Sequence, residues 1–518
     1  MGEAVAMIVV EVYGYEAGLD QIPKCVSAVY ADEPPERSFS ASGVRLGFDD
    51  SKPPQPLRGL VSLTWCERAV ARSRRALFLT VCGSGRRMEG MRLRVAWALL
   101  AAAVFGGVLR AGADFARLDV FQGTAGREDV VERLFRVYVS RNVDRSLIDL
   151  SRDALFVRTD APGRPLYHRV AFAVDPLAGA EEDGTVSARA KAEGVPEEAA
   201  PGLPRGRPLA GWRIALDPGH LGGAWSRMEH RHFRIGDDPP VAEGDLVLKI
   251  AFMVRERLEA MGAEVFLTRE DATPVTRLRP EDFLAEAAVR LTVDGEAMPE
   301  SEAVERLANR MFYVSAENRA RAERIRDWGA DVVLCLHIDA VPWADPDNLS
   351  LVDVDHSHVI VNGAYSSAEL ADAEQRVLML ERLLRGFDRV EIPLAESLAD
   401  SLAEASGLPP FRYRGPNARR VSDNPYVWAR NLAANRLFPA PTVFLEPYVA
   451  NSRVTYARLQ AGDYEGLRKI AGEERPSIFR EYADAVAEGL ERFAHRAGPP
   501  PFDILFRGAG LNPEKRAR

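Results

Sequence analysis

Trp212-Arg-Ile-Ala-Leu-Asp-Pro-Gly-His-Leu-Gly-Gly223 joins five residues of strand character to a turn built on one proline and three glycines. A short apolar run closed by turn residues reads as a buried strand. His220 then leaves that strand at its carboxyl end, the edge at which open α/β sheets host their ligands. Runs of the same kind recur at residues 264–268, 331–336, 358–361 and 442–445. Between the first two strands the spacing predicts an amphipathic helix over 246–261. Leu246, Ile250, Val254, Leu258 and Met261 share one of its faces and Gly262 stops it. A strand–helix–strand order predicts neighbouring parallel strands. Another amphipathic helix is predicted over 477–493. The fold class is therefore α/β, a mixed, largely parallel sheet flanked by helices, preceded by a small α+β unit and a flexible linker.

The chain has 518 residues, 47% hydrophobic and 28% charged, which excludes a disordered, collagenous or polytopic membrane protein. Its net charge of −9, without a clustered basic patch, argues against a nucleic-acid partner. An internal stretch, Met91-Arg-Leu-Arg94 followed by apolar residues 95–109 and Arg110-Ala-Gly-Ala113, has the parts of a secretory signal peptide and is too short for a stable transmembrane anchor. Residues 91–113 are accordingly expected to be a signal peptide, and residues 1–90 read as a misassigned N-terminal extension without sustained periodicity. Export to the periplasm or cell envelope follows. Residues 114–174 predict a small α+β domain, with a helix carrying Val130, Val131, Leu134, Val137 and Tyr138 and strands at 154–158 and 168–174. Half of residues 175–208 are Ala, Gly or Pro, which makes a linker. Residues 209–497 form the main domain and 498–518 a tail.

Four residues in the main domain could carry chemistry. His220 is either a hydrogen-bonded turn residue or a ligand. His337 ends the run Asp331-Val-Val-Leu-Cys-Leu-His337, so two imidazoles can converge on one sheet edge. Glu243, at the start of the 246–261 helix, is either a first-turn carboxylate favoured by the helix dipole or a third ligand. Two histidines and a carboxylate with an open fourth position make a catalytic zinc set. Glu446 follows the strand at 442–445 and is costly to bury unpaired, so it is either salt-bridged or a base. Cys335 reads as a core thiol, and His356 and His358 as a hydrogen-bonded or solvated pair on one strand face.

These blocks together resemble the zinc-dependent N-acetylmuramoyl-L-alanine amidases, across about residues 210–495. Leu216-Asp-Pro-Gly-His220 resembles the first metal block, Glu243-Gly-Asp-Leu-Val-Leu-Lys-Ile-Ala251 the glutamate-led helix, and Val265-Phe-Leu-Thr-Arg269 the strand ending in Thr-Arg. Cys335-Leu-His-Ile-Asp-Ala340 is similar to the second histidine block, and the Glu446 to Asn451 stretch to the last motif. The resemblance implies Zn²⁺ held by His220, Glu243 and His337, with Glu446 as the catalytic carboxylate. The implied reaction cleaves the peptidoglycan amide between the lactyl group of N-acetylmuramic acid and L-alanine, by zinc-activated water and a glutamate general base. The rival readings are a zinc hydrolase of another peptide or acylamino acid, and a non-catalytic wall-binding protein. The chain departs from the family pattern at Leu221, at Asp339, where Asn is usual, and in the long loop before Glu243. That loop offers Glu229, His230, His232, Asp237 and Asp238 as rival ligands. Two insertions, 274–316 and 363–435, are also present. Some relatives place a helix over the metal and rely on an activator protein to remove it, and the helical stretch 368–384 is the candidate for that part. The basic loop 412–420 reads as a solvated face.

Overall fold

The computed structural model describes residues 113–160, 166–173, 206–292 and 300–498, together with the backbone of three earlier strands. The signal-peptide stretch, all of the linker before residue 206, and the tail beyond residue 498 lie outside the described residues. The chain divides into two compact units, 1–107 and 108–518. In the first, Ala6–Val12, Leu60–Cys66 and Arg75–Cys82 pair as an antiparallel sheet with the last strand in the middle. Sequence periodicity gave no regular element there. Among the described residues, no helix is long and apolar enough to cross a membrane.

The second unit is built on a seven-stranded sheet. Its strands are β1 (Arg213–Pro218), β2 (Glu264–Leu267), β3 (Val332–Leu336), β4 (Ser357–Val361), β5 (Ala418–Arg420), β6 (Val427–Arg430) and β7 (Thr442–Pro447). Their spatial order is β2-β1-β3-β7-β4-β6-β5. The first four are mutually parallel, β4 runs antiparallel to β7, β6 follows β4, and β5 turns back. Helix α1 (Glu243–Ala260) makes the crossover between β1 and β2. It starts three residues before the predicted helix, so Glu243 is its first residue.

Alternation along the strands sorts residues to two faces. Ile214, Leu216, Leu334, Leu336, Val359, Val443 and Leu445 join the large core with the apolar side of α1. Ala215, Val333, Cys335, Ile360 and Phe444 face the other way, against Ala322 and Ile325 of α2 (Glu317–Trp328). Cys335 is thus a buried core thiol. Continued by one alternation, the second face places Asp217, His337 and Glu446 at the carboxyl edge of the parallel strands, with His358 beside them on β4.

The two insertions differ in what they become. Helices Leu284–Leu291 and Ser301–Arg310 pack around a small apolar cluster of Ala287, Ala308 and Met311. The segment 363–435 is part of the main architecture. It supplies β5, β6, α3 (Ala373–Arg385) and α4 (Asp388–Ser406), the last packed with α5 (Ile478–Ala497) in the large core. Helix α4 contains Pro393, an interior proline that masks the helix in sequence. Residues 113–160 and 166–173 form a three-stranded antiparallel sheet with a helix at Arg127–Arg133. It shares the large core, and Arg133 joins it to α4 by an ion pair with Asp388 at 2.9 Å, both side chains buried.

Candidate metal centre

The loop after β1 is held open against strain. His220 has φ 56°, a left-handed conformation that costs a non-glycine residue about 1–3 kcal/mol. Two buried arginines hold its carbonyls. Arg321 of α2 donates to Pro218 O at 3.0 Å and His220 O at 2.9 Å. Arg269 donates to Pro218 O and Gly219 O, both at 3.0 Å, and to Gly244 O at 2.7 Å, tying the loop to the first turn of α1. Burial and the neighbouring Arg321 lower the Arg269 guanidinium to about 10. Thr268 completes the frame by donating to buried Asp217 at 2.5 Å, and Arg321 pairs with that carboxylate at 3.0 Å. The Thr-Arg end of the second strand therefore acts as a clamp. Gly219 is required by contact, because a Cβ there would stand 2.2 Å from the His337 ring.

His220, Glu243 and His337 converge, with one donor atom of each within 4.8 Å of the others. Glu243 sits between the imidazoles, Oε1 3.1 Å from His337 Nδ1 and Oε2 3.4 Å from His220 Nε2. The two rings meet edge to face with centroids 4.9 Å apart. Burial works against the Glu243 charge, yet His220 and His337 hold its carboxyl down at about 2. Of the rival loop residues, Glu229 backs His220, its Oε2 2.5 Å from Nδ1, and accepts from Leu221 N–H at 3.0 Å. Asp238 accepts from Tyr456 Oη at 2.9 Å, and His230 is exposed.

Glu446 lies on the strand next to His337, on the same face. Burial, reinforced by Asp339 and Glu243, raises its carboxyl to about 8 against the pull of His337. A cavity of about 410 Å³ opens over these groups, lined by His220, Glu229, His337, His358, Tyr413 and Glu446. Its roof comes from residues around 313–321 and 411–434. The stretch 368–384, expected as a helix over the metal, supplies none of the lining. It is divided between Ser367–Leu370 and α3, and α3 packs into the large core. Asn451, the last residue of the terminal motif, exchanges two hydrogen bonds with the backbone of Val341 at 3.1 and 2.9 Å and so fixes the loop after His337.

Asp339 and the His356/His358 pair come together as well. His356 Nε2 stands 2.8 Å from Asp339 Oδ2, and His358 Nε2 lies 3.0 Å from Tyr413 Oη. Burial pushes the His358 imidazole down to about 4. Sequence reasoning missed Arg321, Arg269 as a clamp, and the aromatic residues Phe411 and Tyr413. Arg321 sits in a helix crowded with charges, Glu317-Asn-Arg-Ala-Arg-Ala-Glu-Arg324, where nothing marks one arginine as buried.

Residues 214–347 match the family described as N-acetylmuramoyl-L-alanine amidase. This segment, 134 of the chain's 518 residues, is similar to that family. The matched segment holds His220, Glu243 and His337 and ends before Glu446. No curated protein matches the chain. Solved amidase structures are similar over about half of it. The N-acetylmuramyl-L-alanine amidase Ami1 from Mycobacterium smegmatis is 17% identical, with TM-score 0.30, 56% of this chain and 99% of that one covered. The catalytic domain of CwlV from Bacillus (Paenibacillus) polymyxa var. colistinus is 14% identical, with TM-score 0.29 over 54% and 97%. The CwlD amidase from Clostridioides difficile, in complex with the GerS lipoprotein, is 16% identical, with TM-score 0.29 over 54% and 98%. The likeness in sequence to the amidases is carried by residues 214–347.

Proposed function

We propose that this protein is an exported peptidoglycan hydrolase that cleaves the amide between the lactyl group of N-acetylmuramic acid and L-alanine, with Zn²⁺ held by His220, Glu243 and His337. The observation that carries the reading is the convergence of those three donors beside Glu446, within a segment of the amidase family. The donor set fits zinc. Ligands about 2.1 Å from a tetrahedral ion stand roughly 3.4 Å apart, and the Glu243 oxygens stand 3.1 Å (Oε1) from His337 Nδ1 and 3.4 Å (Oε2) from His220 Nε2. Zinc there would supply Lewis-acid activation of water and of the substrate carbonyl.

The rest is done by the chain. Glu446 accepts a proton from the attacking water, whose oxygen bonds to the lactyl carbonyl carbon. As the C–N bond breaks, the same carboxyl returns the proton to the alanine nitrogen, leaving the lactyl carboxylic acid, whose proton passes to the freed amine as the acid ionises. Glu229 holds the His220 ring by its Nδ1, which fixes the tautomer and leaves Nε2 facing Glu243. The signal-peptide stretch supports action in the periplasm or cell envelope, with peptidoglycan as the partner.

The test is digestion of peptidoglycan sacculi by the full zinc-loaded chain, with the soluble products identified by mass spectrometry. Stem peptides beginning with L-alanine are expected, and Glu446→Ala should abolish them while zinc content stays the same. Release of other fragments would point to a different amide. Binding without release would leave a wall-binding protein.

A further inference from the structure

We propose that Asp339, His356 and His358 form a second divalent-cation site, next to the first on the same sheet edge. One donor atom from each lies within 4.8 Å of the others, as in the first cluster. Both imidazoles are inside the protein, with relative exposures of 4% and 2%. Their centroids are 5.8 Å apart, and the Phe411 ring packs on both at 4.5 and 5.0 Å.

A separate observation points to a ligand. The Nδ1 of His358 is buried and has no hydrogen-bond partner, while its Nε2 is engaged by the Tyr413 hydroxyl at 3.0 Å. Buried polar atoms are nearly always paired, so an orphaned imidazole nitrogen calls for a partner outside the protein. One nitrogen held by an outer hydrogen bond and the other left bare is how a metal-binding histidine is oriented. At His356 and Asp339, a proton between Nε2 and Oδ2 at 2.8 Å occupies the place a cation would take.

The frame is rigid. Asp339 N–H donates to Tyr448 O at 3.1 Å, its carbonyl accepts from Ala450 N–H at 2.7 Å, and its Oδ1 accepts from Ala340 N–H at 2.7 Å. His358 is directly opposite Glu446 in the antiparallel pairing of β4 with β7, and opposite residues project to one face. The two clusters therefore flank the candidate base. Two nitrogens and one carboxylate oxygen suit zinc, cobalt(II) or manganese(II), whereas magnesium and calcium prefer all-oxygen sites.

The test counts ions. The full chain is stripped with a chelator, equilibrated with zinc alone or with cobalt(II) alone, freed of unbound metal, and measured by mass spectrometry of the metal. The wild type is expected to hold one ion more than His358→Phe and one more than His220→Gln. Phenylalanine fits the Phe411 and Tyr413 surroundings and removes the orphaned nitrogen, so the fold should persist by circular dichroism. Asp339→Asn provides the second variant. Equal metal content in the wild type, His358→Phe and Asp339→Asn overturns the second site. If that happens while His220→Gln still loses an ion, the first site stands alone. A loss in His358→Phe but none in His220→Gln would uphold the second site and remove the first.

Discussion

The protein carries two clusters of the same composition, two imidazoles and a carboxylate, on one sheet edge, and they are held in different ways. His220, Glu243 and His337 are set by backbone. Arg269 and Arg321 grip four carbonyls in the loop after β1 and the first turn of α1, and a strained φ at His220 is tolerated because those contacts over-determine it. Asp339, His356 and His358 are set by side chains, through one carboxylate, one phenol and the face of Phe411. A site framed by parallel-strand ends and buried arginines inherits the rigidity of the sheet. A site framed by side chains depends on a loop from a distant part of the chain, residues 411–413.

Substitutions can break this comparison at several levels. The largest effect is expected at Glu446, which the two clusters flank. Glu446→Gln should lower kcat by about 10²- to 10⁴-fold, the usual contribution of a general base, without changing bound zinc. Steady-state kinetics together with metal content would check it, and unchanged turnover would remove Glu446 from the chemistry. Next is the clamp. Arg321→Met leaves the buried carboxylates of Asp217 and Glu317 without their cation and should destabilise the fold by about 3–5 kcal/mol in urea titration. A loss below about 1 kcal/mol would mean that the first cluster is not held by this frame. Glu229→Gln weakens only the support behind His220. It should cost about 10- to 100-fold in zinc affinity, measured against a competing chelator, with stability nearly unchanged.

The smallest effect serves as a control far from both clusters. Asp129 pairs with Arg133 at 2.6 Å and also meets Arg389. Burial alone would raise its carboxyl, but these two guanidiniums draw it below the usual value of 3.8. A lowered folded-state value means the stabilisation is complete above about pH 4 and is lost as the pH falls further. Half-exposed, this pair should contribute less than about 1 kcal/mol. Asp129→Asn should therefore lower Tm slightly at neutral pH, and the difference from the wild type should shrink as the pH drops below 3.8. A difference that grew on acidification would show the sign to be wrong.

The parts of the fold legible in sequence share a physical feature. Strands β1, β2, β3, β4 and β7 are uninterrupted apolar runs, and α1 and α5 carry an apolar stripe, so each element announces itself through its neighbours. Strands β5 and β6 are three and four residues long and contain Arg419, Arg420 and Arg430, which gives them no such run. Helix α4 hides behind Pro393, and Ser397 Oγ returns a hydrogen bond to the carbonyl of that proline. For the same reason, residues 363–435 read as an insertion although they complete the sheet.

Sequence by itself determined which residues reach the sheet edge. A histidine or glutamate that ends a buried strand must emerge there, and this placed His220, His337 and Glu446 before any contact was known. Tertiary structure alone decided that Glu243, and not another acid or histidine of the long loop, lies between the imidazoles, because that depends on how α1 docks. It alone decided that Arg321 faces inward and that Asp339 meets His356 and His358. Those contacts join segments 17 to more than 100 residues apart, and their geometry is set by strand register and helix packing. No local pattern encodes either.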